Sequence, residues 1–515
     1  MKMSRRRFVH TCGALGAAAL WTPAFAQTPP AAHRVFHLSM SPAAAIENDP
    51  ELLSAIAAAG VSDLWIGGSW TGIWLDTPEK VQSLRPRIEE HGLRVHMLNV
   101  PLGHPGTANP KWKPAVLPDG STCTGTSLHK PATETNCAAL RQIAAAGFDR
   151  VFLDDDFRLT TTPGIIGGCF CDEHRRDFLQ RTGFDDGRWA ELLDDVRARR
   201  LTPLLRAWLD YQCDQLTACF RAQQDAVPGV QLGIMVMYFG AEKAGVRLTD
   251  YADVPLRVGE FIFSDEAFNP VKGKTNELYS SLFHRRFVAP ELAYSETTAF
   301  PNKALSLQNK IAKLAVSTLS DVRNTMFMCD FPKEHWAPLA PAIKHHAQIH
   351  AAIAGHTPRG PLKHFWGEAA RYVGNDDPYS LPLALGIPFE VTAEPAADGF
   401  TFLCDADAAA LAGRQSPGTT WLARPQTGLP DGVRPLAESL PELFAWKQQV
   451  LPQLANIPYI EGNVPVVCAW YPTARAAVLW NLTETTQNLN LRHGHARREV
   501  RVDPLGVALV EGLAG

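Results

Sequence analysis

The residues with the clearest capacity for chemistry stand together between positions 150 and 174. "RVFLDDDFRL", residues 150–159, is a short apolar strand that gives out into Asp154, Asp155 and Asp156, with Arg158 two residues beyond. Eight residues later the chain reads "GGCFCDEH", which sets Cys169, Cys171 and His174 in a C-x-C-x-x-H arrangement. Carboxylates crowded at a strand end suit proton transfer, because like charge raises the pKa of one while Arg158 keeps another ionised. Two thiols and an imidazole at this spacing suit a tetrahedral zinc, and a C-x-C pair is too tight to close a disulfide on itself. Cys123, on an upstream loop, is available as the fourth ligand. Such a zinc would be structural, pinning two loops beside the carboxylates, and the chemistry itself would need no cofactor. The plainer alternative makes the cysteines buried packing, Asp156 a cap and His174 the start of a helix.

Glu296 in "AYSETTAFP" is the strongest single catalytic candidate. It stands where another apolar strand runs out, it is the only acid there, and small hydroxyl residues flank it. Carboxylates on opposing strands, ringed by aromatics, are what cleavage of a glycosidic bond requires: one protonates the leaving oxygen, the other attacks or activates water across the sugar. Glu296 as nucleophile with Asp155 or Asp156 as acid/base is therefore the expected pair. Asp154, Arg158, Trp70, Trp74, His104, Tyr238, Glu266 and Asp330 are the expected sugar-contacting residues, with Trp65, His96, Trp336 and Asp265 as further polar or aromatic neighbours.

Eight strand-like runs would position these groups. They are "RVFHLSM", "VSDLWIGG", "LRVHMLNVPL", "RVFLDDDF", "VQLGIMVMYFG", "EFIFSDEAF" from Glu260, "LAYSETTAF" and "RNTMFMCDF", with helical stretches such as "NCAALRQIAAAG" between them. Nearly continuous apolar strands alternating with helices predict a parallel sheet, and eight units over residues 33–355 predict a (β/α)₈ TIM barrel. Residues at strand C-termini then share one cup. Two long insertions, 103–130 and 160–228, follow strands three and four at that same face. Residues 360–455 read as a smaller doubly wound α/β domain, and 457–515 as a small antiparallel β-domain.

Residues 1–26 are set aside as a twin-arginine export signal: Arg5 and Arg6 precede a short apolar run that ends in "AFA", with cleavage expected after Ala26. The mature protein would then be periplasmic or secreted, exported already folded, with no membrane anchor. Loss of the signal moves the net charge from −4 to about −8, which speaks against nucleic acid as a partner. The odd number of cysteines left after Cys12 is removed forms no regular disulfide framework.

A barrel with an acid triplet after strand four and Glu296 after strand seven, then a doubly wound domain and a β-domain, resembles the family 42 glycoside hydrolases and their β-galactosidase and β-mannosidase-like relatives. The resemblance implies an acid/base within Asp154–Asp156 and Glu296 as nucleophile of a retaining mechanism. It also implies a loop-bracing zinc on Cys123, Cys169, Cys171 and His174, and an amidotransferase-like middle domain, without that chemistry, that builds a homo-oligomer, a trimer in the family. The family's acid/base is a Glu after an Asn. Here an Asp triplet stands instead, with a side chain one methylene shorter, and Glu266 is the alternative acid. Two rival functions are a metal-dependent barrel acting on sugars, whose aspartates would hold a divalent cation, and a carbohydrate-binding protein without catalysis.

Overall fold

The computed structural model describes residues 34–513 except 41–42, 50, 103–108, 124, 155–156, 161–163, 238, 240, 260–262, 300, 302, 329–331, 412–417 and 455. The expected export signal, His104, Asp155, Asp156, Tyr238 and Asp330 therefore lie outside the described residues.

Eight parallel strands close into a barrel: β1 (Val35–Met40), β2 (Asp63–Trp70), β3 (Arg94–Val100), β4 (Arg150–Leu153), β5 (Gln231–Met237), β6 (Leu256–Gly259), β7 (Ala293–Thr297) and β8 (Asn324–Met328). Neighbours pair in sequence order, and β1 closes the ring by pairing with both β2 and β8. The (β/α)₈ expectation holds in all strands but one, which is displaced along the chain. The sixth strand is Leu256–Gly259, ahead of the predicted "EFIFSDEAF", whose second half forms a helical turn, Asp265–Phe268. Ser264 caps that turn by accepting the Ala267 amide at 3.4 Å, and Asp265 and Glu266 fall in its first turn, where carboxylates favour helix over strand.

The lower interior of the barrel is filled by side chains. Trp65, Leu98, Phe152, Tyr294 and Met326 pack as one cluster, and His37, Asp63 and His96 form a buried polar layer beside it. His37 takes its place through both ring nitrogens: the Trp65 indole N–H donates to Nδ1 at 3.2 Å, and Nε2 lies 3.1 Å from the Asn324 amide oxygen. Trp65, His96 and Trp336, expected near the mouth, are thus buried core residues.

A second, parallel sheet comprises β9 (Leu362–Phe365), β10 (Phe389–Thr392), β11 (Gly399–Leu403), β12 (Thr419–Ala423) and β13 (Val433–Pro435), in the order β10-β9-β11-β12-β13. Two three-stranded antiparallel sheets form the C-terminal unit, as the alternating text from Ile457 predicts. The segment after β9 is clamped to the insertion that follows β4 and to the turn after β5. Lys243 pairs with Asp376 at 2.5 Å, Arg371 with Glu242, Arg206 with Glu368, and the Tyr372 hydroxyl donates to Asp210 at 2.6 Å. Apolar packing is likewise continuous from Phe36 and Leu278 of the barrel through Trp366 and Leu383 to Val478 and Trp480 of the last domain.

Candidate active site and metal centre

β4, β6 and β7 deliver three charged groups to one point near the C-terminal end of the barrel. Glu296 sits in the last turn of the β7 pleat and is only 2 % exposed. The Thr298 hydroxyl donates to its Oε1, and Arg257 of β6 approaches Oε2 with Nε at 2.8 Å. That contact is an ion pair rather than an aligned hydrogen bond. The other end of the guanidinium, Nη2, donates to Asp154 Oδ1, directly after β4. Phe152 lies under the guanidinium, 5.4 Å from ring centroid to Cζ, and the sulfurs of Met235 and Met326 flank it at 2.8 and 3.2 Å. In so apolar a wall a cation is tolerated because two carboxylates balance it.

Arg257 was missed by the sequence reading because its strand was placed four residues too late. The signal was present: "VPLRVG" holds a single charge inside an apolar run, and such a residue is buried only with a partner.

Other expected residues fall in several places. Arg158 is buried beyond the strand end. Trp70 and Trp74 stand on a hairpin that extends β2, in which Trp70 pairs with Ile73 and Ser69 with Trp74. Left-handed backbone at Thr71 and Gly72 makes that turn, and its tip exposes Ile73 and Leu75. Glu266 is a correction: it projects as an exposed residue from the helical turn after β6 rather than from a strand end. Its neighbour Asp265 accepts from the Ser306 amide at 2.9 Å and from Asn309 at 2.6 Å, which holds the start of the helix after β7.

The cysteine cluster is built by a tight return of the chain. The Gly168 amide donates to the Leu159 carbonyl at 2.8 Å, and a Cβ on Gly167 would lie 1.9 Å from that same oxygen, so only glycine lets the segment double back. Cys169, Cys171 and His174 then meet His129, the residue just before helix Lys130–Ala145, and one donor atom from each lies within 4.8 Å of the others. Cys171 Sγ is 3.2 Å from His174 Nδ1, and His129 Nε2 is 3.8 Å from Cys169 Sγ and 4.0 Å from Cys171 Sγ. Cys123 packs against this group but is not one of the four convergent donors. His129 takes the position expected for it, from the same long loop after β3. Its signal was an imidazole at the end of a His-containing loop, immediately before a helix that opens on Lys-Pro.

Zinc bonds of about 2.0–2.3 Å in a tetrahedron put ligand atoms roughly 3.3–3.8 Å apart, so four donors that all lie within 4.8 Å of one another would draw in slightly to hold a zinc ion. Their protonation also suits it. Burial lowers His174 to about 4 and lowers His129, leaving both imidazoles neutral with lone pairs free at neutral pH. Burial holds the Cys169 thiol up near 11, a cost that a bound cation reverses. Outside the four donors, the Lys113–Glu173 pair at 2.9 Å, with Glu173 3.5 Å from His129 Nδ1, orients that ring.

No family model matches the chain, and no curated protein matches it in sequence. Solved structures do. The β-galactosidase of the Antarctic haloarchaeon Halorubrum lacusprofundi aligns with a TM-score of 0.61 at 12 % identity, covering 93 % of this chain and 99 % of that one. The chain shares its fold. The β-galactosidase of Bacillus circulans sp. alkalophilus gives 0.61 at 10 % identity over 92 % and 98 % of the two chains, and that of Rahnella sp. R3 gives 0.57 at 11 % over 94 % and 98 %. The likeness thus spans barrel, middle domain and β-domain together.

Proposed function

We propose that the chain is an exported glycoside hydrolase that cleaves a glycosidic bond by a retaining mechanism. The observation that carries the reading is Glu296: a buried, hydrogen-bonded carboxylate near the end of β7, linked through Arg257 to Asp154 directly after β4. In this reading Glu296 attacks the anomeric carbon and Asp155 or Asp156 protonates the leaving oxygen, then deprotonates the water that releases the sugar. Trp70 and Trp74, on the β2 hairpin, offer flat apolar faces to the C–H side of a sugar ring. The resemblance in fold to β-galactosidases supports a carbohydrate substrate without naming the sugar.

The four-donor cluster would hold a structural zinc that ties the loop after β3 to the loop after β4. No catalytic step passes through it. The metal-dependent alternative is disfavoured at the described part of the mouth, because Arg257 already occupies the space between Asp154 and Glu296 where a cation would sit.

The test is hydrolysis of α- and β-nitrophenyl glycosides by the mature protein and by Glu296→Gln, with product anomer read by NMR. Turnover of one glycoside with retained configuration, falling on the order of 10³-fold or more in the variant, is expected. Turnover that survives the substitution, or inversion of the anomer, refutes the mechanism. Binding of oligosaccharides without turnover favours the binding-protein reading.

A further inference from the structure

We infer that the middle domain carries a carbohydrate-binding cleft separate from the barrel, between strands β11–β13 and the helix Leu440–Val450, with Trp446 as its platform. Its occupant is a segment of a glycan chain that is held there and not cleaved.

The cleft follows from what one face of the middle sheet lacks. Paired residues on parallel strands point to the same side, and every second residue returns to it. The pairing of Phe400 with Thr420, and of Leu422 with Arg434, therefore places all four on one face. The opposite face is closed by a core of its own, Phe365, Leu403, Trp421, Ala423 and Val433. On the first face the helix Leu440–Val450 leans over β11, where Trp446 stands nearly perpendicular to Phe400 and Phe402 with ring centroids 5.1 and 5.7 Å away. β12 and β13 extend beyond it, so that Thr420, Leu422 and Arg434 form one wall of a hollow of about 750 Å³. The other wall is Glu442, Ala445, Trp446 and Gln449, at the i, i+3, i+4, i+7 spacing that puts residues on one side of a helix. The volume falls within the roughly 300–1,000 Å³ of clefts that take small ligands. Through Phe400, Thr420 and Gln453 the hollow runs on into a second one, of about 370 Å³, that reaches Trp470.

The chemistry of the walls selects the occupant. A sugar hydroxyl both donates and accepts hydrogen bonds, and the C–H side of the ring packs on a flat aromatic face. Arg434 only donates, the Glu442 carboxylate offers acceptors, and the Gln449 amide does both. All three are exposed, and among the described residues none is held by an ion pair or a side-chain hydrogen bond, so their polar groups are available to a ligand. Trp446 is half-buried and supplies the aromatic surface, and the small Ala445 beside it leaves room for a ring. A phosphate or sulfate site is built from donors, and Glu442 opposes it; a metal cation is opposed by Arg434. The centre of a contact between copies of the chain is apolar and depleted of charge, whereas this hollow is walled by Arg, Glu and Gln.

The test is affinity electrophoresis of the mature protein, carrying Glu296→Gln so that nothing is digested, in gels that hold galactomannan, arabinogalactan, mixed-linkage β-glucan or xylan. At least one polysaccharide should retard it. Adding Trp446→Ala, or the pair Arg434→Ala and Gln449→Ala, should weaken that binding by about tenfold or more. With Glu296 restored, the same variants should turn over whichever nitrophenyl glycoside the parent cleaves at a rate within about twofold of it. The paired variant removes only exposed side chains, so it keeps the test decisive where loss of Trp446 disturbs the packing on Phe400. No retardation by any of the four polysaccharides, or retardation that the paired variant leaves unchanged, overturns the inference. So does a fall in oligomer size of the paired variant in sedimentation, which assigns the hollow to a contact between copies. If the variants lose retardation while the parent cleaves no glycoside, the cleft stands and the hydrolase reading falls.

Discussion

In the proposed hydrolase Glu296 acts from a position that water scarcely reaches, and Thr298 and Arg257 hold its carboxylate from either side. The Thr298 hydroxyl contributes a hydrogen bond to an anion, a type worth about 1.5–3 kcal/mol. Thr298→Val should accordingly lower kcat roughly 10- to 100-fold with the fold intact, as circular dichroism and steady-state kinetics would show. At the proposed zinc site, Cys171→Ser removes the donor closest to His174. Zinc per chain, measured by plasma mass spectrometry, should fall from about one to near zero, and Tm should fall with it. Individual residues were unevenly legible in the sequence. Glu296 stood out because it is a lone acid at the end of an apolar run. Arg257 did not, because its importance lies in contacts with residues some 100 and 40 positions away, a separation no local pattern reports. His129 displaced Cys123 for a related reason: spacing along the chain suggests which donors exist, whereas the path of the loop decides which of them converge.

Among the elements, the barrel strands were readable because each is buried on both faces and so appears as an unbroken apolar run. The sixth strand was misplaced because its described segment, "LRVG", is short and charged, whereas the "FIF" that follows in the sequence is an unbroken apolar run. Short strands carry too few residues for periodicity to fix their ends. The return after Leu159 offers a sharper test at this scale. Gly167→Ala places a methyl against backbone oxygen at 1.9 Å, and backbone cannot step aside as a flexible side chain can. By contrast Gly183, at a helix end with φ +71°, has nothing within 4 Å of a built Cβ. Gly183→Ala should cost about 1 kcal/mol from backbone strain alone, while Gly167→Ala should cost more, and only the latter should reduce zinc retention. Thermal melts paired with metal analysis separate the two.

The whole molecule carries buried imidazoles whose protonation is suppressed by burial. His37 is lowered to about 4 and His364, inside β9, to about 3. Both titrate near 6.5 when the chain is unfolded. As pH falls below 6.5 the unfolded chain takes up protons that the native state refuses, so stability declines with falling pH until the folded values are reached. His37 alone contributes on the order of 3 kcal/mol across that window. Denaturant midpoints should therefore drop steadily between pH 6.5 and pH 4, and His37→Gln should flatten part of that slope.

The clamp between the segment after β9 and the turn after β5 has a consequence for how the molecule comes apart. Lys243 and Glu242 are buried, the Asp376 carboxylate is nearly so and Arg371 is partly exposed, and each ionic partner belongs to the neighbouring domain. Neither domain can open without exposing half of a charge pair, and the apolar packing that runs through all three units adds to that penalty. Barrel and middle domain should therefore melt in one calorimetric transition, whereas Asp376→Ala, by uncoupling them, should split the endotherm in two. A chain built in this way resists proteolysis as a single body and gives no stable fragment at the domain joint.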